Sequence, residues 1–546
     1  MKLKKNICLV LICTVLIGMF FSERIEDLIT PSEQSDQLQV TRKQQHIEAM
    51  KNGANPNLGP TTIPKDYKID KNFESHLPLI VIDIGKKEIP VTKSFKKVVD
   101  KDGNEDVVIT KTKQDPYVEG NISIIDNKDY HNSLADEPTE VSKMKIKYRG
   151  NSSIKYKKKQ FGIKLLDENG KKRNVNCLGM GADNEWILNI SMIDMSLIRN
   201  YMSYNLGSSM FPFTPDCKYC EVVFKDDNGY KYQGLYLMME KIKQSKDRVD
   251  ISKYKPKKDK VVSYLLGRDR INKDDLQLDT YGNQKRLTYG RLTVMYPKRK
   301  KLKKKAFEYI QNDIDKIDRV VYSDDVNEFS TWNNYLDEQA FTDYFLFNEL
   351  FGNYDAGNNS TYMYKEKNGK LKMGPLWDYD GAMDNYPHAL NNPENVSFQN
   401  HPWFDRLVKS EKYVSLLEDR YAMMKSGIFS VKSLDNYIDS VYKFIGNAGK
   451  RDWSRWQSVY GKNSRMKAQK DSEGYIVDRH RNTWKEEVQR LKDYFHIKEK
   501  YMGKGLEGLE TGTIDTSVSE GSYKVVAVVI IFFTGIVMIR RKELYV

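Results

Sequence analysis

Apolar and polar side chains alternate along several stretches of this chain, and the alternation marks strands. Met144, Ile146 and Tyr148 interleave with Lys145 and Lys147, the period of a half-buried strand. That strand empties into Arg149-Gly-Asn-Ser-Ser153. After Lys157-Lys-Lys159 a second strand follows, with Phe161, Ile163 and Leu165 on one face. Leu77–Ile84 is a β-rich run that opens the folded domain. Lys96–Gln114 predicts an exposed hairpin turning at Asp102-Gly103, and Glu221–Phe224 with Gln233–Met239 predict another across Asp227-Asn-Gly229. Helical spacing takes over further on. Trp186–Met210 predicts a helix in its later part, starting near Asp194. Phe307, Ile310, Ile314 and Ile317 make one apolar helix face, and the basic run Lys298–Lys305 before it reads as a solvated first turn. Tyr335–Leu350 predicts an amphipathic helix, and Trp403 to about Leu509 is mostly helical in pattern.

The stretch after Leu350 departs from both periods. Asn353-Tyr-Asp355-Ala-Gly-Asn358-Asn359-Ser is a turn composition that tolerates positive φ. Thr361–Tyr364, a turn at Lys367–Lys370 and a second strand ending in Asp378 and Asp380 complete a hairpin. Asp355, Asp378, Asp380 and Asn359 can then surround one small volume. Hard cations take oxygen ligands, and Mg²⁺ takes one or two carboxylates plus substrate phosphates. In phosphoryl transfer one Asp orients the attacking hydroxyl while a nearby Asn and a later Asp bind the metal. An Asp-rich surface hairpin has the same pattern. Likewise, a small-residue loop at Arg149–Ser153 followed by a lysine-bearing strand can grip phosphates, and an ordinary basic hairpin looks the same.

The chain is 546 residues long, room for one large domain or two lobes, and carries a formal net charge of +14. Such a balance suits nucleic acid, an anionic membrane or an acidic polymer. The two ends narrow the choice. Met1-Lys-Leu-Lys-Lys5 followed by apolar Asn6–Phe21 reads as a secretory signal peptide, or as a retained signal anchor, over residues 1–24. Val525–Ile539 is uncharged, lies between Lys524 and Arg540-Arg-Lys542, and predicts a transmembrane helix over 523–542. Both basic flanks belong in the cytoplasm, so the body between them lies on the extracytoplasmic side of the cell membrane and nucleic acid is excluded as a partner. Residues 25–70 and 511–522 read as polar linkers. Cys217-x-x-Cys220 has no second pair or His cluster, which argues against a four-ligand zinc site. With Cys177 it leaves open one disulfide plus a free thiol, or three buried thiols.

Together these stretches resemble the spore-coat protein H (CotH) kinase family. The resemblance is carried by Ile146-Lys-Tyr-Arg149-Gly-Asn-Ser-Ser153, Lys158-Lys-Gln-Phe161, Trp186-Ile-Leu-Asn with Asp194 and Arg199-Asn200, Gly234–Glu240, Asn348-Glu349, Asn353-Tyr-Asp355 and Trp377-Asp-Tyr-Asp380. They occur in family order over roughly residues 75 to 505. The resemblance implies an α+β fold of the atypical protein-kinase type, two-lobed, within residues 71–510. The β-rich N-lobe would span about 75–265 and the helical C-lobe about 266–510. It implies an ATP-dependent Ser/Thr kinase that uses Mg²⁺ or Mn²⁺ on secreted, surface or spore-coat proteins. By position, Asp355 resembles the catalytic Asp and Asp378 the metal-binding Asp, with Asn359 and Asp380 beside it. Lys158 is the choice for the phosphate contact, with Lys159 and Lys164 as rivals. Arg149, Asn151 and Ser152 belong to the phosphate loop, and Glu240 serves the nucleotide pocket. The family's Asn after the catalytic Asp falls on Asn358 or Asn359. Where the family tends to show an Arg near its end, this chain has His496-Ile-Lys498. The alternative from another class is a non-catalytic surface or coat assembly module, a pseudokinase that retains the fold.

Overall fold

β-Branched and aromatic residues make the eight strands of the main sheet, between residues 68 and 240: β1 (Lys68–Ile69), β2 (Leu79–Asp83), β3 (Val118–Ile125), β4 (Glu140–Arg149), β5 (Gln160–Leu166), β6 (Glu185–Asn189), β7 (Cys217–Asp226) and β8 (Gly229–Glu240). The computed structural model describes residues 38–509, apart from 100–104, 151, 191–192, 270–274, 286–291, 387–391, 461–468, 471–475 and 478–480. The hydrogen-bonded order is β8-β6-β5-β4-β3-β2-β7, and β7 pairs again with β8, so the seven strands close into a barrel. Every pairing is antiparallel except β2 with β7, where Leu79 lies opposite Glu221 and Asp83 opposite Lys225. β1 adds to β8 through Lys68 and Ile69. Closure removes the open edges that invite wrong pairing. β2 is covered on both faces. Leu79 and Val81 pack with Phe73, Ile125, Val223 and Tyr232, while Ile80 and Ile82 are fully buried on the other side. That is why its sequence is a continuous apolar run rather than an alternation.

A second, antiparallel sheet comprises β9 (Tyr264–Arg268), β10 (Leu292–Tyr296), β11 (Thr361–Lys365) and β12 (Lys372–Met373), in the order β10-β9-β11-β12. The main helices are α1 (Gln45–Lys51), α2 (Arg199–Gly207), α3 (Lys304–Val321), α4 (Glu338–Leu350), α5 (Glu411–Ser426), α6 (Val431–Trp456) and α7 (Trp484–Glu507). The mixed α+β class holds, but the expected two-lobed arrangement, a β-rich N-lobe and a helical C-lobe, is not clearly seen. The β region is a closed barrel, and α6 from the helical half is sewn to it. Asp452 accepts from Lys158 Nζ at 2.7 Å and from the Leu235 amide at 2.8 Å. Arg451 pairs with Glu221 at 2.6 Å, and the Trp456 indole donates to the Gln233 carbonyl at 2.9 Å.

Residues 40–70 are likewise not a linker. α1 packs His46 into the interior, and Arg42 donates to the carbonyls of Thr214 and Pro215. The rest of that expected linker, residues 25–37, lies outside the described residues, as do the segments 1–24, 511–522 and 523–542. Among the described residues no helix is long and apolar enough to cross a membrane.

Two helix expectations shift. α2 starts at Arg199, five residues beyond Asp194, whose carboxylate still accepts the Arg199 amide at 2.9 Å. α4 is not amphipathic in use, because every residue from Phe341 to Leu350 is buried. Its Asp343 survives there through two hydrogen bonds from Arg420, at 2.7 and 3.1 Å. On α3, by contrast, Ile310, Ile314 and Ile317 are buried as their spacing predicts. Residues 93–99 pair with 105–111 as a hairpin, and its predicted turn at Asp102-Gly103 lies outside the described residues. Cys177, Cys217 and Cys220 are free and buried, so no disulfide joins them.

Candidate active site

The buried helix α4 delivers the chain into a tight loop at residues 351–360. The Asp355 carbonyl accepts from the Asn359 amide at 2.7 Å, and the Asn359 side chain donates to the Asp355 carboxylate at 3.0 Å. Ser360 Oγ lies 3.4 Å from the other carboxylate oxygen. Asn and Ser side chains of this kind trade secondary structure for local hydrogen bonds. The following hairpin is shorter than predicted. β12 ends at Met373, and Asp378 sits in an irregular segment after it. Asp378 has φ +64° and Ser360 φ +47°, left-handed positions uncommon for such residues. Strained backbone persists only where surrounding contacts over-determine it, as at functional sites.

Those contacts come from α2 and α4. The Asp378 amide donates to the Tyr204 hydroxyl at 3.0 Å, and the Tyr379 amide to Asn200 at 2.8 Å. The Tyr379 hydroxyl donates to Asn348 at 2.7 Å. Arg199 is fully buried. It pairs with Asp194 at 2.7 Å and Glu487 at 3.0 Å, and donates to the carbonyls of Ala382 and Met383. Arg490 on α7 completes the cluster, 2.8 Å from Glu487. Arg199-Asn200 and Asn348 are therefore positioning residues for the Asp378 segment.

Asp355, Asn359, Ser360, Trp377, Asp378 and Asp380 line one cavity of about 370 Å³, and the barrel contributes Arg149, Gly150, Ser153 and Gln160. The Arg149 guanidinium lies 4.9 Å from the centre of the Trp377 ring. Burial first, then the neighbouring Asp355 charge, push the Asp378 carboxyl up to about 6, with Asp269 adding and Arg149 and a Ser360 hydrogen bond opposing. Crowded carboxylates of this kind favour a cation among them. Among the described residues no three His, Cys, Asp or Glu side chains are grouped to hold a metal ion by themselves. The donors fit the other mode, in which Mg²⁺ takes one or two carboxylates and fills its shell with phosphate oxygens and water. A larger, more open depression of about 1060 Å³, around Lys243 and Asp247, contains none of these groups.

Not every predicted residue reaches the cavity. Lys158 does not line it. Its ammonium is completely buried between Asp452 and the Leu235 carbonyl, so it cannot also reach a phosphate there. Of its rivals, Lys159 donates to the Ile154 carbonyl at 2.7 Å, and Lys164 lies 4.4 Å above the Tyr117 ring. Glu240 is also elsewhere. It pairs with Arg248 at 2.7 Å and accepts the Asp216 amide at 2.9 Å, and burial pushes its carboxyl up to about 7. Asn151 and the Ser152 side chain lie outside the described residues. Of the two asparagines, Asn359 lines the cavity and Asn358 does not. Sequence reasoning missed Lys93, whose ammonium donates to the Gly150 carbonyl at 3.0 Å, and Asp269, immediately after β9. Asp269 carries a signal only once β9 is recognised as a strand, because it then stands at a strand end. Lys498 pairs with buried Glu349, so a lysine fills the cationic place near the end of the chain.

No curated protein matches the chain. Residues 146–502 match the family described as CotH kinase protein. The match begins inside β4, just before Arg149, and ends in α7 beyond Lys498, and it takes in Asp355 and Asp378. It covers well over half of the sequence, and the chain therefore belongs to the CotH kinase protein family.

Proposed function

We propose that this protein is an ATP-dependent kinase that transfers the γ-phosphoryl group to Ser or Thr hydroxyls of secreted, surface or spore-coat proteins. The observation that carries the reading is the meeting of Asp355 and Asp378, from two different segments, in one cavity that Arg149 also lines. Bound ATP with Mg²⁺ or Mn²⁺ supplies the phosphoryl group and the charge that offsets its oxygens during transfer. Asp378 with Asn359 and Asp380 would hold the cation. Arg149, held over Trp377, would hold phosphate oxygens. Asp355, held by Asn359 and Ser360, orients the acceptor hydroxyl. It takes the proton as the new O–P bond forms and ADP leaves. The site has little covalent work to do beyond this positioning.

The test is transfer of labelled phosphate from ATP to a Ser/Thr-rich protein by the purified chain, with Mg²⁺ and with Mn²⁺. Transfer that disappears in Asp355→Asn is the expected result, and absence of transfer with both metals overturns the reading. The extracytoplasmic, membrane-anchored location rests on the basic flanks of the two apolar ends. Protease added to intact cells should digest the body and spare a tag placed after Val546. A protected body would remove secreted and coat proteins as acceptors.

One observation favours a second reading, a pseudokinase that binds without turnover. The lysine that the resemblance assigns to phosphate, Lys158, is sealed by Asp452. A thermal shift with ATP and Mn²⁺ but no transfer would decide for it.

A further inference from the structure

Beside the main cavity lies a second one of about 260 Å³, and the two share Lys93, Arg149 and Gly150 as a common wall. Lys147 lines the second cavity. Lys145, Lys147 and Arg149 alternate along β4 and so share one face of the strand. Lys145 is matched by Glu119 at 2.9 Å. Lys147 and Arg149 make no ion pair among the described residues. The Lys147 ammonium lies 5.0 Å from the centre of the Tyr117 ring, and Arg149 meets Trp377 and the Gln160 amide oxygen. A cation drawn partly out of water gains from an opposite charge beside it. Two left without one, on the wall of a cavity next to crowded carboxylates, fit an anion supplied from outside.

We infer that Lys93 and Lys147 form, with Arg149, an anion subsite that grips the polyphosphate of a nucleoside triphosphate in place of Lys158. The inference rests on the kinase reading above and names the residues that do its phosphate binding. Lys93 lies before the family-matched residues, so this part of the grip comes from the base of the hairpin of residues 93–99 and 105–111. The local field agrees. Burial first, then Lys241, Lys93, Lys164 and Arg149, push the Lys147 ammonium down to about 8, a crowding that a bound polyanion relieves.

The experiment is equilibrium binding of Mg-ATP, and separately of inorganic tripolyphosphate, to the full chain. Lys93→Gln and Lys147→Gln should each weaken Mg-ATP by roughly 10-fold, the scale of one lost charge-assisted contact. The double variant should lose more, and Lys147→Arg should recover most of the loss. Lys164→Gln, a nearby cation that lines neither cavity, should change affinity less than about 2-fold. Melting temperatures of the variants establish that they are folded. A folded double variant that binds Mg-ATP like the parent chain overturns the subsite while leaving the kinase reading intact. Parent protein that binds tripolyphosphate through Lys147 but transfers nothing from ATP upholds the subsite and overturns the kinase reading. Parent protein that binds neither ligand overturns both.

Discussion

Two regions of this molecule concentrate charge and use it in opposite ways. Behind the barrel wall and under α7, charges are sealed and matched: Lys158 with Asp452, Arg451 with Glu221, and Arg199 and Arg490 with Glu487. In the cavity, the Asp355 and Asp378 carboxylates crowd one another, and Asp380, Arg149 and Lys93 line the same walls. A matched buried pair is weak evidence for stability by itself, but removing one partner is costly. A site where carboxylates crowd costs stability in the free protein and is useful when a ligand brings a compensating charge. The same residue types therefore hold the fold in one place and await a ligand in the other.

The comparison breaks most visibly at Lys158. Lys158→Met should destabilise the protein by about 3–5 kcal/mol, because Asp452 is left charged and buried. Lys158→Met with Asp452→Asn should recover much of that in urea unfolding, since the amide oxygen still accepts the Leu235 N–H. Mg-ATP affinity should remain within about 2-fold of the parent in this folded double variant. A large loss of affinity there would return Lys158 to the site.

Glu487→Gln should cost a similar amount, about 3–4 kcal/mol, by leaving Arg199 and Arg490 with half their partner. The pH profile gives a second readout. Two arginines offset burial and hold the Glu487 carboxyl down at about 2, against 4.5 for the free group. Its contribution is thus fully present above pH 4.5 and is lost as pH falls towards 2. At neutral pH it amounts to about 3 kcal/mol. The variant should show a flatter acid limb in unfolding titrations, and an unchanged limb would refute the assignment.

On the other side of the comparison, Asp378→Asn should abolish the thermal shift produced by Mn-ATP. It should leave the ligand-free protein as stable as the parent, or up to about 1 kcal/mol more so, because a crowded charge is gone. Destabilisation instead would mean that Asp378 is matched like Glu487. The smallest effect belongs to Lys498→Arg, which should stay within about 1 kcal/mol in thermal unfolding, since either cation can pair with Glu349.

The hairpins and the alternating strands were legible in the sequence because a period of two survives in any half-buried strand. β4, β5 and the hairpin of β7 with β8 lie where the alternation puts them. Closure of the barrel was not legible. It depends on β2 lying parallel to β7, a pairing between segments far apart in sequence that no local pattern encodes. Asp355 and Asp378 reach the cavity because turn chemistry and composition are local signals. Lys158 misled for the opposite reason. A loop followed by lysines is a local pattern, but the partner that claims Lys158 lies 294 residues later. Lys93 belongs to a hairpin whose sequence carries no sign that its base would border the phosphate loop. α4 was misread because its polar residues suggest an outward face, whereas Asp343 and Asn348 find their partners inside.

The attachment of α6 to the barrel bears on how the protein is made. During synthesis the barrel strands are complete by Glu240, yet Lys158 and Glu221 must wait for Asp452 and Arg451, more than two hundred residues downstream. Until α6 arrives, the barrel would have to enclose two opposite charges without their partners, a cost comparable to a domain's whole stability. The first half of the chain is thus kept from settling prematurely. A chain truncated before α6 should therefore hold its barrel less firmly than the full chain, and limited proteolysis of a fragment ending before Val431 measures the difference.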